Sequence, residues 1–228
     1  PAIRDGLVRL WVLDPKGGME LALGEPLFER FAYDTPAELA TVLEDAAQVM
    51  DDRAGRLRGV TRVHQPTVQE PLIVVVVDEL ASLTAYASRE DRARINAALP
   101  RLISKGRAVG VSVVAALQDP RKEVIPFRDL IPVRIALSLV ERDQTDLVLG
   151  KGALARGADC SRIPLKTGIG WTWCDGETDP TRVRAGWVSD TDITEMVAAY
   201  PPGAAPSRPD GVDVPVVIDL TDRARRLS

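Results

Sequence analysis

The stretch PLIVVVVDEL, residues 71–80, decides how this chain folds. Six aliphatic residues, Leu72 to Val77, run without a polar break into two adjacent carboxylates, Asp78 and Glu79. A strand that is apolar on both sides needs cover on both faces, which is the property of a parallel sheet in an α/β fold. In open parallel sheets ligands gather outside the carboxyl ends of the strands, so Asp78 and Glu79 are expected at the lip of a cleft.

The pattern on either side of this strand alternates in the way such a fold requires. LVRLWVLD (7–14) is a β-like run that ends in Asp14. Thr35-Pro36-Ala37-Glu38 supplies a capping residue, a proline for the first helical position and a capping-box glutamate, and the apolar spacing that follows predicts a helix over 36–56. A second helical period runs from Arg89 to about Arg107, with Pro100 expected to kink or break it. VSVVAAL (111–117) and VRIALSL (133–139) are further β-rich runs. GIGWTWC (168–174) and TRVRAGWV (181–188) read as a late strand pair, and Ser189-Asp190-Thr191-Asp192 caps a short helix through Tyr200. The expectation is one doubly wound α/β domain over residues 1–200, a largely parallel sheet with helices on both faces. Residues 201–228 open with PPGAAPSRPDGVDVP and are expected to be a linker or tail.

Composition narrows the function classes. The 228 residues are 45% hydrophobic, enough to fill a core, and carry a formal charge of −4. That balance argues against coating nucleic acid through bulk charge. Two cysteines, Cys160 and Cys174, have neither disulfide-framework density nor metal-ligand spacing, which favours a reducing cytosol. His64 is the only histidine and no G-x-S-x-G elbow occurs, so histidine-based hydrolysis and zinc chemistry are poor readings. No apolar run approaches the ~18 residues needed to span a bilayer.

A buried strand followed by Asp-Glu is the Walker B pattern of nucleotide hydrolysis. The first acid holds Mg²⁺, since a hard cation wants oxygen ligands, and the second polarises the attacking water. The alternative is that Asp78 and Glu79 only cap the following turn. Gln118, at the end of the next strand, can sense a γ-phosphate or orient water because an amide both donates and accepts, or it can simply enter a proline turn. Asp14 and Lys16, in Asp14-Pro15-Lys16-Gly17-Gly18, bring an acid and a lysine to the same sheet edge.

LWVLDPKGGMEL, PLIVVVVDELASLTAY, LISKGRAVGVSVVAALQDPRK and IPVRIALSL resemble successive blocks of the FtsK/SpoIIIE family of double-stranded DNA translocases, in the correct order over roughly residues 7–199. The wording DPKGGMEL and AALQDPRK is similar to the actinobacterial conjugative-transfer (TraB/TraSA-like) branch. The resemblance implies a RecA-like P-loop NTPase core using ATP and Mg²⁺ in a homo-hexameric ring around duplex DNA. By that likeness Asp78 and Glu79 fall on the Walker B pair, and Gln118 on the family's sensor glutamine. Arg107 falls on the candidate arginine finger, with a solvated helix-end role as the alternative. Arg134 matches the family's strand arginine, without an assigned role.

One departure is large. No G-x-x-x-x-G-K-[ST] segment occurs, so the phosphate-binding loop is expected upstream of Pro1 or to have been lost. The chain alone is therefore expected to be inactive as an ATPase. The competing expectation is a degenerate, non-catalytic RecA-like module that binds a partner or secretion substrate. Between Arg89 and Lys122 eight basic residues face three acids, either a set of DNA phosphate partners or a solvated helix face. The expected location is the cytoplasm, with any membrane segment outside this chain.

Overall fold

The computed structural model describes residues 1–120, 127–165, 167–174 and 176–203. In it β3 (Leu72–Val77) lies inside a four-stranded parallel sheet, between β1 (Val8–Leu13) and β4 (Val111–Ala115), with β2 (Phe28–Ala32) beyond β1. Helix α1 (Pro36–Leu57) links β2 to β3, and α3 (Arg89–Lys105) links β3 to β4, after the short α2 (Ser82–Ala85). Both crossovers step across the sheet in the same direction. Right-handed connections therefore put both helices on one face, where they pack on each other. The step from β1 to β2 runs the opposite way, so its 3₁₀ turn (Ala22–Leu27) belongs to the second face, with α5 (Asp190–Ala199) packed against it.

Burial follows this asymmetry. Ile73, Val75 and Val77 are buried in the cluster that holds Leu13, Leu43, Leu99 and Leu102, whereas Leu72, Val74 and Val76 are half-buried. Cover on the second face is thinner, and Val114 of β4 is exposed. The edge strands differ in character: β2 carries Glu29 and Arg30, paired with Arg9 and Asp45, while β4 reads VSVVA with no charge.

The first predicted helix forms nearly as expected. Thr35 accepts the Glu38 N–H at 3.2 Å and Pro36 sits in the first turn. The second forms without the break weighed for Pro100, since α3 continues through it. Ile95, Ala98, Leu99 and Leu102 flank the proline and are buried. Burying such side chains contributes about 1.5–3 kcal/mol for each large one, which offsets the ~3 kcal/mol cost of an interior proline. VRIALSL also differs from expectation: β5 (Val133–Ala136) pairs antiparallel with β6 (Ile169–Cys174), which pairs antiparallel with β7 (Thr181–Arg184), as a separate three-stranded sheet. Its own small core gathers Ala136, Cys160 and Ile163 with Leu149 of α4 (Gln144–Leu149). Only residues 201–203 of the proposed tail are described. Among the described residues no helix is long and apolar enough to cross a membrane.

The amino edge of the sheet is held by Arg53 of α1. Its guanidinium donates to the carbonyls of Val109 (3.2 Å), Gly110 (2.9 Å) and Pro71 (2.7 Å), tying the entries of β3 and β4 to the helix. His64 packs beside it with a side chain 2% exposed, and neither ring nitrogen has a hydrogen-bond partner. Gly110 makes room: its φ is +74°, and a Cβ there would stand 2.3 Å from His64 Nδ1. Burial above all, and then the positive charge of Arg53, hold the imidazole pKa below its ordinary value, with the Glu70 carboxylate at 4.0 Å opposing.

Unfolded His64 protonates near pH ~6.5 and folded His64 only at lower pH, so within that window the unfolded state binds more protons. Stability is expected to fall as pH drops below about 6.5. Urea midpoints at about pH 7.5 and about pH 5.5 measure this, and His64→Gln should flatten the difference. An unchanged pH dependence in that variant would remove His64 as the cause.

Candidate functional site

The register of β3 with both neighbours aligns three strand ends. Leu13 pairs with Val77, and Val77 with Ala115. The ladder continues past them, with Asp78 N–H donating to Leu13 O (3.0 Å), Ala116 N–H to Val77 O (2.8 Å) and Leu80 N–H to Ala116 O (2.9 Å). Asp14, Asp78-Glu79 and Gln118 thus arrive at one carboxyl edge, as the sequence reading expected of them.

Glu79 is 4% exposed, and its Oε1 accepts the N–H of Ala81 (3.2 Å) and of Gln118 (3.4 Å). It caps the turn into α2, the local role weighed from sequence, and also ties the exit of β4 to β3. Its other oxygen, Oε2, makes no hydrogen bond among the described residues. Gln118 is exposed at the mouth of the site. On the other side, Lys16 Nζ lies 3.5 Å from Asp78 Oδ2, an ion pair that sequence reading missed because it depends on how the Asp14-to-Gly17 turn folds back.

Arg107 sits elsewhere. It is exposed on the 3₁₀ turn (Gly106–Val109) that enters β4, at the amino edge of the sheet. Five strand residues separate the two edges, roughly 16 Å of backbone. Its guanidinium is therefore far from the acids of its own chain. Arg134 is half-buried and donates to Ile131 O (2.9 Å) and Val148 O (3.4 Å), which gives it a structural role between β5 and α4.

The basic excess between Arg89 and Lys122 is partly spoken for. Arg94 bridges Glu44 (2.7 Å) and Asp91 (3.1 Å), and Arg101 pairs with Asp51, so these charges join α3 to α1. Arg121 and Lys122 lie outside the described residues.

The acidic edge fits a hard cation. Asp14 Oδ2 and Asp78 Oδ2 are buried and lack a hydrogen-bond partner. Among the described residues no three His, Cys, Asp or Glu side chains form a cluster that could hold a metal ion.

No protein-family profile matches the chain. It is similar to the DNA translocase FtsK of Halalkalibacterium halodurans, 33% identical over 139 residues, covering 58% of this chain and 16% of that protein. The DNA translocase FtsK of Staphylococcus aureus (strain Mu50) is 26% identical over 210 residues, 83% of this chain and 25% of that protein. The chain thus spans a quarter or less of the length of these relatives. Among solved structures, the pCW3 conjugation coupling protein TcpA, in a monomer form with ATPγS, matches with a TM-score of 0.66 at 20% identity, over 83% of this chain and 56% of that one. The cytoplasmic domain of the Thermomonospora curvata type VII secretion ATPase EccC matches at 0.64 and 19%, over 92% of this chain and 26% of that one. The architecture shared with these structures is a parallel four-stranded sheet flanked by helices.

The bonds of Glu79 separate its structural from its chemical duty. Glu79→Ala should destabilise the chain by about 1–3 kcal/mol, because it orphans the Ala81 and Gln118 N–H groups. Glu79→Gln should cost less, since the amide oxygen still accepts. Equal losses in urea unfolding would mean that Oε1 does not hold the strand exits.

Proposed function

We propose that residues 1–200 are the part of a RecA-like ATPase motor that follows the phosphate-binding loop, that the motor drives double-stranded DNA, and that residues 201–228 are a linker. The observation that carries this reading is the meeting of Asp78-Glu79 at the exit of β3 with Gln118 at the exit of β4. Similarity to DNA translocases supports DNA as the cargo. Conjugative DNA transfer, or segregation of a chromosome or plasmid, is the process proposed.

The residues divide the work. Asp78 would hold Mg²⁺, which neutralises charge on the β- and γ-phosphate oxygens. Glu79, fixed through Oε1, points its remaining oxygen to orient and polarise the attacking water. Gln118, beside it at the mouth, can contact the γ-phosphate or that water. Arg107, about a strand length away, meets transition-state charge only in a neighbouring subunit's site, which calls for a closed ring, proposed as a hexamer. A non-catalytic partner-binding module is the competing reading, and it gives Arg107 and Glu79 no shared task.

Residues 1–228 contain no loop to cradle a triphosphate, so a phosphate-release assay on the chain alone should show no turnover, with or without duplex DNA. Turnover there would overturn the assigned roles. In a form bearing a phosphate-binding loop, Arg107→Ala and Glu79→Gln should each bind ATP yet hydrolyse it slowly, the arginine being worth ~10³ or more in rate. Co-assembling the two variants restores interfaces with both groups intact, and partial recovery of activity is expected. No recovery at any mixing ratio, with mixed rings confirmed, sinks the trans role.

A further inference from the structure

Asp14 does more than end β1. It is 0% exposed. Its Oδ1 accepts the backbone N–H of Lys16 at 3.0 Å, in a turn closed by Gly17 N–H on Asp14 O at 3.3 Å. Among the described residues its Oδ2 has no hydrogen-bond partner, and neither does Asp78 Oδ2, whose one charged neighbour there is the Lys16 ammonium at 3.5 Å. A buried carboxylate oxygen left without a donor costs free energy that a protein rarely concedes without a ligand to supply the contact.

Strand geometry brings the two acids together. Leu13 and Val77 are register partners, and both point into the core under α1 and α3. The next residues, Asp14 and Asp78, leave these paired strands side by side, with Asp78 N–H still donating to Leu13 O at 3.0 Å. Adjacent strands lie roughly 4.8 Å apart, close enough for both carboxylates to share one cation or its bound waters. Two like charges side by side on neighbouring strands repel. Lys16 offers one positive charge to this pair, but its side chain is 37% exposed and its contact with Asp78 is long, the mark of a replaceable partner.

We propose that Asp14 is a second acid of the divalent-cation site headed by Asp78, and that the Lys16 ammonium occupies this site until a divalent cation displaces it. This rests on the reading of Asp78 as a Mg²⁺ residue. Asp14 Oδ2 accepts a hydrogen bond from a cation-bound water or ligates directly, and Lys16, once released, is free at the end of a flexible stem to meet a phosphate. The Asp14-Pro15-Lys16-Gly17 turn would then couple cation arrival to the exposure of a lysine.

Mn²⁺ titration of the 228-residue chain, followed by electron paramagnetic resonance of the free ion, tests this without any turnover. Asp78→Asn should abolish the site. Asp14→Asn should weaken it about 10-fold or more, as is usual when a group supporting a metal is lost. Lys16→Met should tighten it severalfold while leaving both acids in place, and it keeps the test open should Asp14→Asn fail to fold by circular dichroism. Loss with Asp78→Asn, but parental binding in a folded Asp14→Asn, would overturn the role of Asp14 alone. Unchanged or weaker binding in Lys16→Met would overturn the displacement. Binding indifferent to all three changes would place the ion on other surface acids and overturn the Asp78 reading as well.

Discussion

Everything at the carboxyl edge depends on the register of β3. Its pairing with β1 and β4 sets Leu13, Val77 and Ala115 level, and so fixes where each chain segment leaves the sheet. The register itself is held by burial: Val75 and Val77 must face α1 and α3, and a slip of one residue would turn them out and turn Asp78 in. Hydrophobic alternation thereby decides the position of charge. At the opposite edge Arg53 does the complementary work, since its three carbonyl contacts hold the strand entries that the helix passes over.

The two edges leave different kinds of polar group unpaired. At the amino edge the Arg53 guanidinium is shared among backbone oxygens, and the imidazole beside it is buried with neither ring nitrogen hydrogen-bonded among the described residues. The carboxyl edge gathers acids: among the described residues Asp14 Oδ2 has no hydrogen-bond partner, and Asp78 Oδ2 has only the Lys16 ammonium at 3.5 Å. A ligand can complete the unpaired oxygens of the carboxyl edge, whereas the His64 nitrogens are sealed in packing.

Much of this was readable from the residues. The aliphatic run before Asp78, the Thr35-Pro36 start of α1 and the Ser189 cap of α5 are local signals, strong enough to survive tertiary context. The placement of Asp14 and Gln118 beside the Asp-Glu pair also followed, because strand order and strand ends carry it. Other features were hidden for physical reasons. FERFA, the sequence of β2, alternates too briefly to stand out and pairs only along one side. The break weighed for Pro100 did not occur because tertiary burial outweighed a local rule. The antiparallel pairing of VRIALSL depends on a partner 35 or more residues away, which no local pattern encodes. Arg94 and Arg101 looked like free basic charge until α1 supplied their acids.

The bare edge of β4 has a consequence for the molecule in solution. Among the described residues nothing pairs with its outer side, and VSVVA offers neither lysine, proline nor bulge to discourage a second strand. The β2 edge is shielded by its own ion pairs. Of the two edges of the four-stranded sheet among the described residues, β4 is the one whose open backbone groups do least to discourage an added strand.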